Sequence, residues 1–454
     1  MKGISSRTLL GILLGWAIAF EGFFALSLAN TASIDGIGGI MASTFRLAAV
    51  QLILLGVFIS AVWAFRMAFP DLERPLLIKL FNLLTYAAMA MVALEGVAVV
   101  LMAGDVFITG FGGVGKRWIA LVGGQLFAVG VLSLRLWRLR STTPVNWLAD
   151  MLGSLAAAML MVEGLVAIGI AGNATIQGFG TILGSTMRDA GIGLFVIGLM
   201  MFGLWWVLND PWAGPRIGRY LNARWSLLIM GMLGGVVMAA SIAASTIAGT
   251  VTVEGSSGAF KIYVVAGIAQ LFGLGLMSPV LWKLSWNPLD RSGLASLISS
   301  TALAVLAFEG VFAMALAANT YIEGLGGILE STFRLAGAQL LIITAIALFS
   351  WFIKDSPLLT KWPGRIVSST FLVATTLIAL EGLAVILMAV NIRIGDFSGV
   401  GERYVLLGGV QMTLLPAIAM LCWARIGGPS TKFKLVGTGI AAFMLLMLPI
   451  AMML

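Results

Sequence analysis

Residues Ala19–Leu55 read AFEGFFALSLANTASIDGIGGIMASTFRLAAVQLILL, and residues Ala307–Ile343 read AFEGVFAMALAANTYIEGLGGILESTFRLAGAQLLII. Aligned without gaps, 21 of the 37 positions are identical. Each stretch is the end of one apolar run, a glycine-rich connection and the start of a second apolar run. That is the pattern of a helical hairpin. A third copy starts at Met161 as MVEGLVAIGIAGNATIQGFGTILGSTMRDAG.

A second type of hairpin alternates with the first. Its copies are ALEGVAVVLMAGDVFITGFGGVGKRW from Ala93 and ALEGLAVILMAVNIRIGDFSGVGERY from Ala379, with a degenerate copy, MAASIAASTIAGTVTVEGSSGAFKIY, from Met238. The order is A-B-A-B-A-B, and periods of this kind mark a repeat architecture. Each unit has two spans, so every copy faces the same way. The repeat is parallel, and parallel copies are related by an axis along the membrane normal. The expected fold is an all-α integral membrane protein of about 13 transmembrane helices: six tandem hairpins, pseudo-threefold, plus one C-terminal helix. The expected blocks are 1–145, 146–290 and 291–434, with 435–454 as the additional helix.

Composition requires a membrane. Of 454 residues, 60% are hydrophobic and 10% charged, and the mean hydropathy is +1.06. Soluble domains carry about a quarter charged residues. A membrane helix needs about 20 apolar residues, and lipid offers the backbone no hydrogen bonds, so only helices or closed barrels cross it. Barrel strands are about ten residues of alternating polarity. The runs here are longer and apolar on every face. They predict helices at 8–30, 47–65, 80–103, 118–135, 149–171, 190–208, 225–248, 263–283, 293–317, 335–353, 366–391, 404–424 and 435–453.

Orientation follows the distribution of Lys and Arg. The N-terminus and alternate connections hold 19 of the 27 basic residues, including Arg66, Arg74, Arg135, Arg138 and Arg219. That side is expected to be cytoplasmic, with the N-terminus inside, the C-terminus outside and the chain in the cell membrane. Most tryptophans lie near the same side, as an interfacial belt would. The net charge of +8 is therefore topological, and no nucleic-acid partner is expected. The expected partners are the bilayer, further copies of the chain and other membrane subunits. The run at Thr8–Asn30 belongs to the repeat and reads as a retained first helix, not a cleaved signal.

The residue inventory excludes several chemistries. There is no histidine, and Cys422 is the single cysteine. That removes the commonest haem, copper and zinc ligands and any internal disulfide, so no cofactor or metal is expected. No GxxxxGK[ST] phosphate loop and no GxSxG elbow occurs, so the chain is not expected to be an enzyme.

Five units place a glutamate inside their first helix: Glu21, Glu95, Glu163, Glu309 and Glu381. The fourth unit has Ala240 there. Each glutamate is followed by glycine, which admits a close neighbouring helix. Glutamines recur in the returning helices at Gln51, Gln125, Gln270, Gln339 and Gln411, while the third unit has Gly193. Helical rise puts Glu21 and Gln51 within about two turns of the same depth, so a Glu–Gln hydrogen bond within a hairpin is expected where both residues are present. Acids at membrane depth mark ion, proton or substrate pathways. The rival reading makes them neutral interhelical bolts, each contributing about 0.6–2 kcal/mol.

The connections on the outer side are glycine-rich and predict tight turns or re-entrant backbone. Those of type A end in Ser-Thr followed by Arg at Arg46, Arg188 and Arg334. The Ser or Thr would cap the next helix. The Arg would bind an anion or pair with Asp35, Asp189 or Glu323.

Tandem hairpins with one glutamate each look like the rotor-ring subunits of V-type ATPases, which implies ring geometry. In that family the carboxylate sits in the second helix of the hairpin; here it sits in the first, and the loop is long and glycine-rich. The function expected is transport or channel-like movement of protons, cations or a small solute through a bundle with intramembrane glutamates. The alternative is a non-catalytic integral subunit of a larger, respiratory or energy-converting membrane complex.

Overall fold

The computed structural model describes residues 6–29, 32–34, 41–68, 75–102, 106–108, 115–139, 146–171, 174–176, 183–208, 223–247, 251–253, 259–286, 291–316, 320–322, 329–353, 364–389, 392–394, 401–426 and 431–453. Thirteen helices run through them. They are α1 (Ser6–Leu28), α2 (Met41–Ala68), α3 (Pro75–Met102), α4 (Gly115–Leu139), α5 (Trp147–Ile170), α6 (Leu183–Leu208) and α7 (Ala223–Ile247). There follow α8 (Ala259–Leu284), α9 (Arg291–Leu316), α10 (Leu329–Ile353), α11 (Gly364–Met388), α12 (Gly401–Ile426) and α13 (Thr431–Met453).

Twelve of these helices are long and apolar enough to cross a membrane by length and composition. With 23 residues in α1 and 28 in α2, their lengths are about 35–42 Å at 1.5 Å per residue, against a hydrocarbon core of about 30 Å. The chain therefore fits an all-α, multi-pass membrane protein. Thirteen spans were expected; in α13 the described apolar stretch is Lys434–Leu448, shorter than a span. Hydroxyls inside the spans donate back to the preceding turn, as Thr85 does to the Phe81 carbonyl at 2.7 Å and Thr375 to that of Phe371 at 2.8 Å. Lipid offers them no other acceptor.

The helices start earlier than hydropathy alone predicts. Residues Ser43, Thr44, Ser185, Thr186, Ser331 and Thr332 fall inside the first turn of α2, α6 and α10. They are not the capping residues that the sequence reading expected. Short strands β1 (Ala32–Ile34) and β2 (Val106–Ile108) pair antiparallel, with Ser33 opposite Phe107. Strands β5 (Thr320–Ile322) and β6 (Ile392–Ile394) pair the same way, Tyr321 opposite Arg393. Two more three-residue strands are β3 (Ala174–Ile176) and β4 (Val251–Val253). In each unit, the connections expected to form tight turns or re-entrant backbone thus carry a ladder that joins the end of one helix pair to the end of the next. The glycines of these connections, and the acids Asp35 and Glu323, lie outside the described residues.

The helices form two compact units. The first holds α1–α6; the second holds α7 from Leu227 onward and α8–α13. In the first unit α1 packs on α2, α3 on α4 and α5 on α6, and α4 also packs on α5. In the second, α9 packs on α10 and α11 on α12, α8 packs on α9, and Ser241 of α7 donates to the Ile268 carbonyl of α8 at 2.5 Å. There α13 covers α12 and touches α11, as α5 covers α4 and touches α3 in the first unit.

The tryptophan belt needs correction. Trp63, Trp137, Trp205, Trp282, Trp351 and Trp423 are all buried, none more than 6% exposed. Trp63 meets Trp137 edge to face at 5.0 Å between centroids, and Trp351 meets Trp423 the same way at 5.2 Å. These rings fill the space between helices; Trp225 and Trp286 remain exposed.

Candidate functional site

The glycine after each glutamate decides where the glutamate points. A Cβ built on Gly22 would lie 2.8 Å from the Ala49 carbonyl of α2, and one on Gly310 would lie 2.9 Å from that of Gly337 in α10. The same holds for Gly96 against Gly123 (2.6 Å), Gly164 against Gly191 (2.6 Å) and Gly382 against Gly409 (2.8 Å). All five glycines are therefore pressed against the returning helix of their own pair. Successive residues on a helix are about 100° apart. The glutamate just before each glycine is turned away from its own partner helix, and Glu21, Glu95, Glu309 and Glu381 face the neighbouring pair.

This corrects the expected Glu–Gln contact within a hairpin. Gln125 Nε2 of α4 donates to Glu21 Oε1 of α1 at 2.7 Å, bridging two helix pairs. Gln51, on the returning helix of Glu21's own pair, instead lines a shallow apolar surface with Leu47 and Leu54. Gln339 is exposed, and Gln270 and Gln411 are half-buried.

The turn of the glutamates brings them together two at a time. In the first unit Glu21 and Glu95 line one cavity of about 100 Å³ among α1, α2, α3 and α4. In the second unit Glu309 and Glu381 line another of about 100 Å³ among α9, α10, α11 and α12. Their walls correspond position by position: Phe24 with Phe312, Phe45 with Phe333, Leu52 with Leu340, Val99 with Val385, Ile119 with Val405 and Leu126 with Met412. One carboxylate oxygen in each cavity, Glu95 Oε2 and Glu381 Oε2, is buried with no hydrogen-bond partner among the described residues. Buried polar atoms of this kind are uncommon and call for a physical reason. In the second cavity Glu309 Oε2 lies 3.6 Å from where a Cβ on Gly408 would stand; in the first, that position is Val122.

The other predicted residues lie apart from these cavities. Glu163 is half-buried in α5, in neither cavity. Arg46, Arg188 and Arg334 are exposed near the starts of α2, α6 and α10, and Asp189 is exposed beside Arg188.

One constellation was not anticipated from the sequence. Arg135, expected in a cytoplasmic connection, lies inside α4 and is fully buried against Asp150 of α5. The pair is multidentate: Nε to Oδ1 at 3.1 Å, Nη2 to Oδ1 at 2.7 Å and Nη2 to Oδ2 at 2.9 Å. The Arg135 guanidinium also faces the Trp206 ring at 6.0 Å. Nearby, Arg7 donates to the Leu139 carbonyl at 3.1 Å and lies over Trp147. The available signal was Asp150 itself, an acid inside an otherwise apolar run, which demands a partner.

The arrangement offers, twice over, two carboxylates from different helix pairs facing one apolar cavity at membrane depth. Such a cavity can hold a proton or a small positive charge. No family model, no curated protein and no solved structure matches this chain.

Proposed function

We propose that this protein moves protons, cations or a small positively charged solute through the membrane, with the cavities of Glu21 and Glu95 and of Glu309 and Glu381 as its binding positions. The observation that carries this reading is that two glutamates from different helix pairs share one cavity, in both units. Acids at membrane depth face cavities, partners or pathways because the bilayer penalises them elsewhere. A structural bolt would close each carboxylate with a partner, yet Glu95 Oε2 and Glu381 Oε2 have none among the described residues.

In the fuller form of this proposal the chain is six tandem parallel hairpins, A-B-A-B-A-B, around a pseudo-threefold axis, in blocks 1–145, 146–290 and 291–434 with the C-terminal helix added. The N-terminus is cytoplasmic, and the glycine-rich connections form the outer entrance. The protein acts as a carrier of charge and not as an enzyme.

The second reading, an integral subunit of a larger membrane complex, is favoured by one contact. The Gln125–Glu21 hydrogen bond joins two helix pairs as a structural bolt would.

The test is reconstitution of the purified protein in liposomes, with proton and monovalent-cation flux followed under an imposed potential. Flux above protein-free liposomes is expected. A variant with glutamine at all four cavity glutamates should fall to background while retaining its helical content and monodispersity. Retained flux in that variant overturns the role assigned to the glutamates. Stoichiometric co-purification of other membrane proteins with no flux favours the subunit reading.

A further inference from the structure

We propose that each of the two cavities binds a methylated alkylammonium head, one per cavity, in preference to a metal cation. This deepens the transport reading above and rests on it.

Hard metal cations require about six or more oxygen ligands, and those that retain water need room for it beside the carboxylates. Neither cavity can provide them. Among the described residues, two glutamates are the only ionisable or hydroxyl-bearing side chains in each lining, and the one further polar group that reaches them, the Gln125 amide, donates to Glu21 and offers a cation no extra carboxylate. Among the described residues, no group of three acidic or metal-binding side chains converges anywhere.

An alkylammonium ion has different needs. Its charge is spread over methyl groups, so it loses little by leaving water and gains from apolar walls. One ionised carboxylate balances that single charge. Ring faces attract such cations through their quadrupole, and each cavity has two phenyl rings in corresponding places: Phe24 and Phe45 in the first, Phe312 and Phe333 in the second. At about 100 Å³, each cavity has room for no more than one compact head.

The carboxylates divide the work. Glu21 is already engaged by Gln125, whereas Glu95 Oε2 and the corresponding Glu381 Oε2 are buried with no hydrogen-bond partner among the described residues. A buried polar atom without a partner is costly, and the positive charge of a cation seated in the cavity offsets that cost for each of them without a hydrogen bond. Glu95 and Glu381 are thus the anchors. The same chemistry is carried by a free alkylammonium solute and by the choline head of a lipid.

The test is equilibrium binding of radiolabelled tetramethylammonium to the full-length protein in detergent. Saturable binding of two equivalents per chain is expected, and a large excess of sodium or potassium should displace little of it. Glu381→Gln should leave one equivalent, and Glu95→Gln with Glu381→Gln should leave none. Phe333→Leu, which keeps the wall apolar, should weaken one site roughly three- to thirtyfold. Absence of saturable binding, full binding in the double glutamine variant, or displacement by equimolar sodium overturns the proposal. Repeating the measurement in nanodiscs separates the two sources. Lower occupancy in phosphatidylcholine than in phosphatidylglycerol supports the lipid head, and equal occupancy supports a free solute. If the glutamate variants abolish flux but tetramethylammonium does not bind, this inference fails and the transport reading stands. If it binds and no flux occurs, the site stands and the transport reading fails.

Discussion

The two paired-glutamate cavities share their walls and differ in what surrounds them. In the first, Val122 fills the space beside α1, and Glu21 accepts a hydrogen bond from Gln125. In the second, Gly408 leaves that space open, Glu309 leans into it, and no hydrogen bond joins Gln411 to Glu309 among the described residues. Their supports differ as well. The first unit contains the buried Arg135–Asp150 pair. The second stacks Phe371 on Trp423 at 4.2 Å, where the first has Thr85 at the corresponding place. Supports of different chemistry frame linings that correspond position by position and keep both glutamates and both phenylalanines. The lesson is that the two units keep the glutamates and phenylalanines of their linings while the packing around them is met in more than one way.

The comparison can be broken at its supports. The largest effect is expected for Arg135→Leu, which strands the Asp150 carboxylate in the first unit. Loss of one partner of a buried ion pair costs about 3–5 kcal/mol, read as a lower unfolding temperature in detergent. Arg135→Leu combined with Asp150→Leu should recover most of that loss. If the single variant is as stable as the parent, the pair is not a support.

Next are the glycines that orient the glutamates. Gly96→Val and Gly382→Val push a side chain into the returning helix, where overpacking costs about 1–3 kcal/mol. The two should cost alike, because both glycines press on a partner-helix backbone. Unequal losses in thermal unfolding would show that the two cavities are framed differently.

Smaller still is the Gln125 contact. Interhelical hydrogen bonds in membranes average about 0.6 kcal/mol, with a maximum near 1.7. Gln125→Leu should lose about that much, while Gln411→Leu should lose less. Equal losses would mean that both cavities are latched. The smallest expected change is the one that sharpens the comparison most: Gly408→Val should displace Glu309 toward Gln411 and make the second cavity resemble the first, visible as a larger penalty for Gln411→Leu in that background.

Much of this was legible in the residues. Apolar runs gave the helices because lipid leaves the backbone no alternative, and Glu21, Glu95, Glu309 and Glu381 stood out because acids are rare there. What misled was depth. Equal depth made Gln51 the expected partner of Glu21, but depth carries no information about azimuth. The dipeptide Glu-Gly did carry it: a glycine pressed on its own returning helix sends the preceding glutamate about 100° away. Tryptophans near helix ends were read as interfacial, yet Gly11 and Gly153 make room for the Trp63 and Trp205 rings against α1 and α5. The strand ladders were hidden because three-residue strands leave too short an alternation to separate from a glycine-rich turn.

The central claim is that two glutamates from different helix pairs work as one site. A double-mutant cycle on flux in liposomes tests it most directly. The cycle compares Glu309→Gln, Glu381→Gln and both together, in a chain whose Glu21 and Glu95 are already glutamine. The account predicts that either single change removes nearly all the remaining flux and that the double change removes no more. Independent, multiplicative losses, or full flux in either single variant, would contradict it.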